Sequence, residues 1–147
     1  MKLSTRVRFG LRIMTQIAAE CAEKPVFSRY IAAKQEISEA YVDQILLPLR
    51  TGGLLVSLRG RSGGYRLAKP ADAITVLDVL ETLEGPLNLV DCVDNPAACK
   101  RAASCSTRKI WKEVTAALRE SLRKTSLAAI AEDQRLESRG HGTDFAI

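Results

Sequence analysis

Leu58-Arg-Gly-Arg-Ser-Gly-Gly-Tyr-Arg66 links two short runs rich in strand-forming residues, Leu54–Leu58 and Tyr65–Leu67. Gly60, Gly63 and Gly64 supply the backbone freedom a tight reversal needs, so the stretch is predicted to be a β-hairpin. It contains no acid, and Arg59, Arg61 and Arg66 make it strongly positive. What precedes it decides the fold. Ser28 is expected to cap a short helix, Arg29 to Gln35, with Ile31 and Ala32 turned inward. Glu36-Ile37 makes a tight turn, and Ser38 caps a second helix. Val42, Ile45, Leu46 and Leu49 line the buried side of that second helix. Pro48 predicts a kink or an early end, and Gly52-Gly53 a firm stop. Two short helices, a tight turn and a glycine-tipped hairpin spell a winged helix-turn-helix.

Further out, Ser4 to Ala22 is predicted to be helical. Val7, Leu11, Met14 and Ala18 repeat at helical spacing, Ile13 and Ile17 widen the stripe, Ser4 or Thr5 can cap it, and Lys24-Pro25 ends it. Downstream, Thr75 caps a helix over Val76 to Leu83, closed by Gly85-Pro86. A long helix is expected from about Ser106 to Lys124, with Ile110, Val114, Ala117 or Leu118, and Ser121 or Leu122 along one stripe. Ser126 caps a last short helix, Leu127 to Gln134, and the tail beyond Glu137 lacks apolar pattern. The expected class is mainly α with a small β-hairpin wing. Residues 1–73 form the winged domain. Residues 74–134 hold the linker helix, a cysteine loop and a long helix, and 135–147 a flexible tail.

The chain has 147 residues and a net charge of +5, unevenly placed. Residues 1–73 carry 12 Lys/Arg against 6 Asp/Glu, whereas residues 74–147 carry 10 against 11. Between Gln44 and Ala71 there is no acid. A one-sided positive surface is the footprint of a polyanion binder. No apolar run approaches the ~20 residues of a membrane span. The N-terminus lacks a signal peptide's apolar stretch, so a cytoplasmic protein is expected. Paired carboxylates on one helix and a nucleophile beside a base are both missing from the sequence, which argues against an enzyme.

The chemistry of the outer side of the second helix fits a base reader. Gln44 can bond adenine through two atoms, Asp43 can accept from cytosine N4, and Ser38 and Tyr41 can serve bases or phosphates. Arg59 and Arg61 at the hairpin tip can neutralise phosphates or enter a narrow minor groove. Glu36 stands in the turn where a glycine is common.

Cys92, Cys99 and Cys105 crowd one loop, with six residues between the first two and five between the last two. Clustered cysteines in a reducing compartment favour a soft metal or redox chemistry over a disulfide. Zinc sites usually contain a close Cys-x-x-Cys pair, which this loop lacks, and iron–sulfur clusters tolerate the wider spacing. Lys100, Arg101 and the start of the long helix favour thiolates, while Asp91 and Asp94 oppose them. Cys21 reads as a small, half-buried apolar residue.

Several stretches together resemble the Rrf-two family of bacterial regulators. They are Met-Lys-Leu-Ser-Thr-Arg-Val-Arg-Phe-Gly-Leu-Arg at residues 1–12, Ile37-Ser-Glu-Ala-Tyr41, Leu49-Arg-Thr-Gly-Gly-Leu54, Arg59-Gly-Arg-Ser-Gly-Gly-Tyr65 and the three-cysteine loop. The likeness covers residues 1 to about 134. It implies a homodimer joined through helix 106–124, bound to double-stranded DNA at a palindromic operator. It also implies Ser38, Tyr41, Asp43 and Gln44 as DNA readers, Arg59 as the wing arginine, and Cys92, Cys99 and Cys105 as ligands of an iron–sulfur cluster. Some members carry a Glu where Asp43 stands, and a ligating His where Arg108 stands. Others use an Asp near the start of the first helix, where this chain has Arg8. His141 lies in the tail, so Asp94, Thr107, a water or a small thiol remain as fourth ligands. The expected function is a homodimeric transcriptional regulator sensing iron, redox state or nitric oxide through a labile cluster. The alternatives are a cluster-free regulator of cysteine or sulfur metabolism acting through thiols or a partner protein, and an iron–sulfur electron carrier.

Overall fold

The computed structural model describes residues 3–20 and 24–140. Among these the order is α1 (Thr5–Glu20), α2 (Ser28–Gln35), α3 (Glu39–Thr51), β1 (Leu55–Leu58), β2 (Gly64–Leu67), α4 (Val76–Glu84), α5 (Ser106–Arg123) and α6 (Leu127–Gly140). Cys21 and His141 lie outside the described residues.

Helix α1 starts where the Ser4 hydroxyl accepts the Val7 N–H at 3.2 Å, which satisfies one of the free donors of a helix start. Its apolar stripe places Ile13, Met14 and Ile17 in the core with no exposure, and α4 and α6 pack against it. Burying a side chain of this size stabilises by about 1.5–3 kcal/mol. Two glutamines share that buried face. Gln35 Nε2 of α2 donates to Gln16 Oε1 of α1 at 2.7 Å, a polar tie between the helices.

The turn after α2 is a Schellman closure. Ile37 N–H donates to Ala32 O (3.1 Å) and Glu36 N–H to Ala33 O (3.4 Å). Glu36 itself is left-handed (φ 56, ψ 43), the position glycine usually fills. Ser28 departs from its expected role. The N-cap is Phe27, which makes no side-chain cap bond, and the Ser28 hydroxyl donates to Glu39 Oε1 at 2.8 Å.

Ser38 caps α3 by accepting the Tyr41 N–H at 3.2 Å. The helix does not end at Pro48 but continues to Thr51. Proline removes only the bond to the Gln44 carbonyl, whereas Leu46 and Leu49 on either side are fully buried. Core packing outweighs the lost bond.

The wing pairs Leu55 with Leu67 and Leu58 with Gly64, so Arg59–Gly63 forms the tip. Val26 adds a third rung by exchanging two 2.8 Å bonds with Tyr65. Thr75 and Asp78 form a reciprocal capping box at the start of α4. The far end of α5 returns to this point: Val76 N–H donates to Thr125 O and Leu127 N–H to Ile74 O, both at 2.9 Å. Ser126 caps α6 by accepting the Ala129 N–H. The last helix runs to Gly140, six residues beyond the expected Gln134. Arg135 anchors that extension by donating to Ala19 O at 2.8 Å.

Candidate nucleic-acid interface and cysteine loop

The candidate recognition surface is built on α3. Alternate burial of Val42, Ile45, Leu46 and Leu49 fixes its inner side, so Glu39, Asp43, Gln44 and Leu47 point outward. Ser38 is exposed at the helix start. Its oxygen lone pair is engaged in the cap, but its O–H proton remains available to donate. Tyr41 is half-buried, its ring set edge-on against Phe9 of α1 at 5.9 Å and 85°. That contact holds Tyr41 at the border between core and surface. Arg12 stacks over the other ring of this pair, 5.1 Å from the Phe9 centroid.

Arg59 and Arg61 are exposed at the wing tip, and neither has an acidic partner among the described residues. Gly60 (φ 94) and Gly64 (φ 119) adopt conformations side chains disfavour. A Cβ on Gly64 would sit 2.8 Å from Val26 O. Glycine there allows the rung with Val26 and so fixes the wing's root. Arg50 of α3 reaches Ser57 of β1 at 3.4 Å, joining the recognition helix to the wing.

The cysteine loop occupies the stretch between α4 and α5. It folds into two 3-10 turns, Asp91–Val93 and Pro96–Ala98, followed by hydrogen-bonded turns up to α5. Cys92 and Cys105 are half-buried, Cys99 is exposed, and all three are free thiols. Cys105 is the N-cap residue of α5. The Thr107 hydroxyl, 3.2 Å from its sulfur, and then the Arg108 backbone N–H pull its pKa below the ordinary thiol value.

Arg108 ties the loop to α5. Its Nε donates to Cys92 O at 2.6 Å and its Nη2 to Val93 O at 3.3 Å, clamping the first 3-10 turn to the first turn of α5. A second arginine, Arg119, grips Asp94 at 2.6 Å and Asn88 at 3.3 Å, with Glu81 3.6 Å away. Asp94 is accordingly held below the usual carboxylate range, first by Arg119 and then by the Asn88 amide. Two candidate fourth ligands, Asp94 and Thr107, therefore already have partners.

As donors, three free thiols with one readily deprotonated suit a thiophilic metal or an iron–sulfur cluster. In this conformation, however, no three His, Cys, Asp or Glu side chains among the described residues are grouped to hold a metal ion. Cluster binding therefore requires the loop to rearrange, and both Arg108 and Arg119 tie down the conformation seen here.

Helix α5 has two apolar sides. Thr115, Leu118 and Leu122 face inward, where α4 packs. Ile110, Trp111 and Val114 face outward, 56%, 41% and 46% exposed.

A winged helix-turn-helix with an outward polar recognition face and an unpaired basic wing tip defines a class of transcriptional regulators. The comparisons agree. The model of the Rrf2 family, described as an iron-dependent transcriptional regulator, matches residues 3–133. The protein rrf2 of Nitratidesulfovibrio vulgaris is 39% identical over 136 residues, covering 92% of this chain and 91% of its own. Among solved structures, CymR (YrzC), the global cysteine regulator of Bacillus subtilis, aligns with TM-score 0.75 and 36% identity over 90% of this chain and 97% of its own. IscR of T. potens aligns with TM-score 0.74 and 32% identity over 91% and 88%. The chain belongs to the Rrf2 family of transcriptional regulators. Family and fold are those of regulators rather than enzymes. No described helix is long and apolar enough to cross a membrane.

The sequence singled out Ser38, Asp43, Gln44, Arg59, Arg61 and Cys99, all exposed here, and Tyr41, Cys92 and Cys105, which are half-buried. It missed the positions of Glu39 and Arg108. A first-turn acid preceded by an N-cap serine was a visible signal for Glu39. The Arg108 clamp spans sixteen residues and left no local mark.

Proposed function

We propose that this chain is a homodimeric, DNA-binding regulator whose operator affinity is set by the state of the Cys92–Cys99–Cys105 loop. The observation that carries the reading is the position of the three free thiols. They lie on the one segment joining α4, which packs on the winged domain, to α5, whose outer apolar face has no partner among the described residues. Ile110, Trp111 and Val114 suit burial against the same face of a second copy. Such a dimer would present two recognition helices ~34 Å apart, or a multiple, to a palindromic operator. Ser38, Tyr41, Asp43 and Gln44 would then face bases or the backbone, and Arg59 and Arg61 the flanking phosphates.

Cys92, Cys99 and Cys105 would hold an iron–sulfur cluster, which when bound supplies sensitivity to iron, oxygen or nitric oxide. The chain's own part is conformational. Releasing the Arg108 clamp changes the path from α4 to α5, and a coupling of ~1–3 kcal/mol would alter operator affinity about 5- to 150-fold. Protein purified without oxygen and analysed for iron, sulfide and visible absorption tests this directly. Colour that disappears in Cys99→Ser supports the assignment, and colour that persists refutes it. Operator affinity must also fall steeply with salt.

A second reading follows from the same loop. With the clamp closed and the thiols apart, a cluster-free regulator working through thiol chemistry or a partner protein is consistent with the likeness to CymR. A colourless protein whose DNA affinity responds to a thiol oxidant or to a partner would select it.

A further inference from the structure

The first three turns of the recognition helix contain two acids and no base: within Glu39–Thr51 the only charged residues are Glu39, Asp43 and, in the last turn, Arg50. That is an unusual charge to bring against a polyanion. A carboxylate in the major groove is repelled by phosphates and by the acceptor edges of guanine and adenine. It is accommodated where a base offers an amino donor without an adjacent acceptor, which is cytosine N4.

We infer that Glu39, held by the Ser28 hydroxyl, is a second carboxylate reader of cytosine, one helical turn ahead of Asp43. The inference rests on the DNA-binding reading above. Glu39 is the first residue after the N-cap, and the N-terminal residues of such a helix contact base edges. It is exposed, as is Asp43 four residues later. The 2.8 Å bond from Ser28 engages Oε1 and leaves Oε2 free to accept. Fixing one oxygen on a neighbouring helix removes much of the rotamer freedom the side chain would otherwise lose on binding. Four residues of helix rise about 6 Å. Because residues about one turn apart on a groove-bound helix reach successive bases, the two carboxylates address cytosines in neighbouring base pairs.

A purely structural role is the competing account. A first-turn acid favours the helix dipole, and the Ser28 bond staples α2 to α3. Loss of either would lower stability without changing which base is preferred.

The test is selection of bound duplexes from a randomised pool by the intact protein, its Glu39→Gln variant and its Ser28→Ala variant. Affinities for the winning sites follow, and circular dichroism checks folding. The wild type should select two cytosines per half-site and lose about 5- to 100-fold in affinity when the Glu39-dependent one is replaced. Glu39→Gln should shift that position toward adenine and leave the Asp43-dependent position unchanged. Ser28→Ala, which keeps the carboxylate but frees it, should show intermediate discrimination. Identical preferences for wild type and Glu39→Gln overturn the inference. If the wild type selects no sequence, the DNA-binding reading fails instead.

Discussion

Removing the Arg108 guanidinium should open the cysteine loop without unfolding the protein. Arg108 makes a strong bond at 2.6 Å and a weaker one at 3.3 Å to consecutive carbonyls of the Asp91–Val93 turn. Hydrogen bonds from a charged donor are each worth about 1.5–3 kcal/mol net. The second is long, so the pair is taken as ~2 kcal/mol, equivalent to about 30-fold in a local opening equilibrium. The Val93 and Asn95 amides report that equilibrium, because they donate to Val90 O (3.2 Å) and Asp91 O (3.1 Å) within the clamped turn. In reduced, metal-free Arg108→Ala their hydrogen exchange should accelerate about 30-fold, while amides of α1 stay at wild-type rates. Arg108→Lys should fall between, since an ammonium cannot fork to two carbonyls. Unchanged exchange at Val93 and Asn95 would show that the loop is held by other contacts. Equal acceleration in α1 would show that the substitution loosened the whole domain, and either result refutes the clamp.

Glu36→Gly should raise stability by about 1 kcal/mol, or ~2–4 °C in thermal melts, because it relieves a left-handed non-glycine residue; Glu36→Ala, which keeps the Cβ, should give no such gain. Gly64→Ala forces a Cβ against Val26 O at a φ of 119, so it should destabilise the wing and weaken DNA binding more than it lowers the helical signal in circular dichroism. Alkylation of Cys105 should become half-maximal at a lower pH than for an unperturbed thiol, and Thr107→Val should raise that midpoint. The thiol's folded pKa is depressed, so its contribution to stability is present above the ordinary thiol pKa and is lost as pH falls through the folded value. Trp111→Glu should give a monomer by sedimentation, with the fold intact because Trp111 lies outside the core.

The winged domain was legible because its signals are local. Glycine spacing, N-cap serines and apolar periodicity each act over a few residues and agree with one another. Where the reading failed, a distant contact overrode a local rule. Of the kink or early end expected at Pro48, the early end did not occur, because Leu46 and Leu49 are locked into the core on either side of it. Ser28 did not cap α2 because Glu39, from the next helix, takes its hydroxyl. The last helix outran its apolar pattern because Arg135 ties it to Ala19. Gln16 was invisible as a core residue, since its hydrogen-bond partner, Gln35, comes from the next helix. The cysteine positions were plain, but their separation in space was not. Two arginines of the helix that follows, Arg108 and Arg119, hold the loop's shape.

The stitch between Thr75 and Ser126 gives the cysteine loop mechanical leverage. The two backbone bonds there pin the foot of the long helix to the residues that begin α4, which opposes sliding of α5 along its neighbour. Any change in the loop's length must pivot it about that foot. An 18-residue rod is about 27 Å long, so a 3 Å displacement at Ser106 becomes a tilt of roughly 6°. A ratchet of α5 past its neighbour would break both bonds, whereas a swing about that foot would keep them.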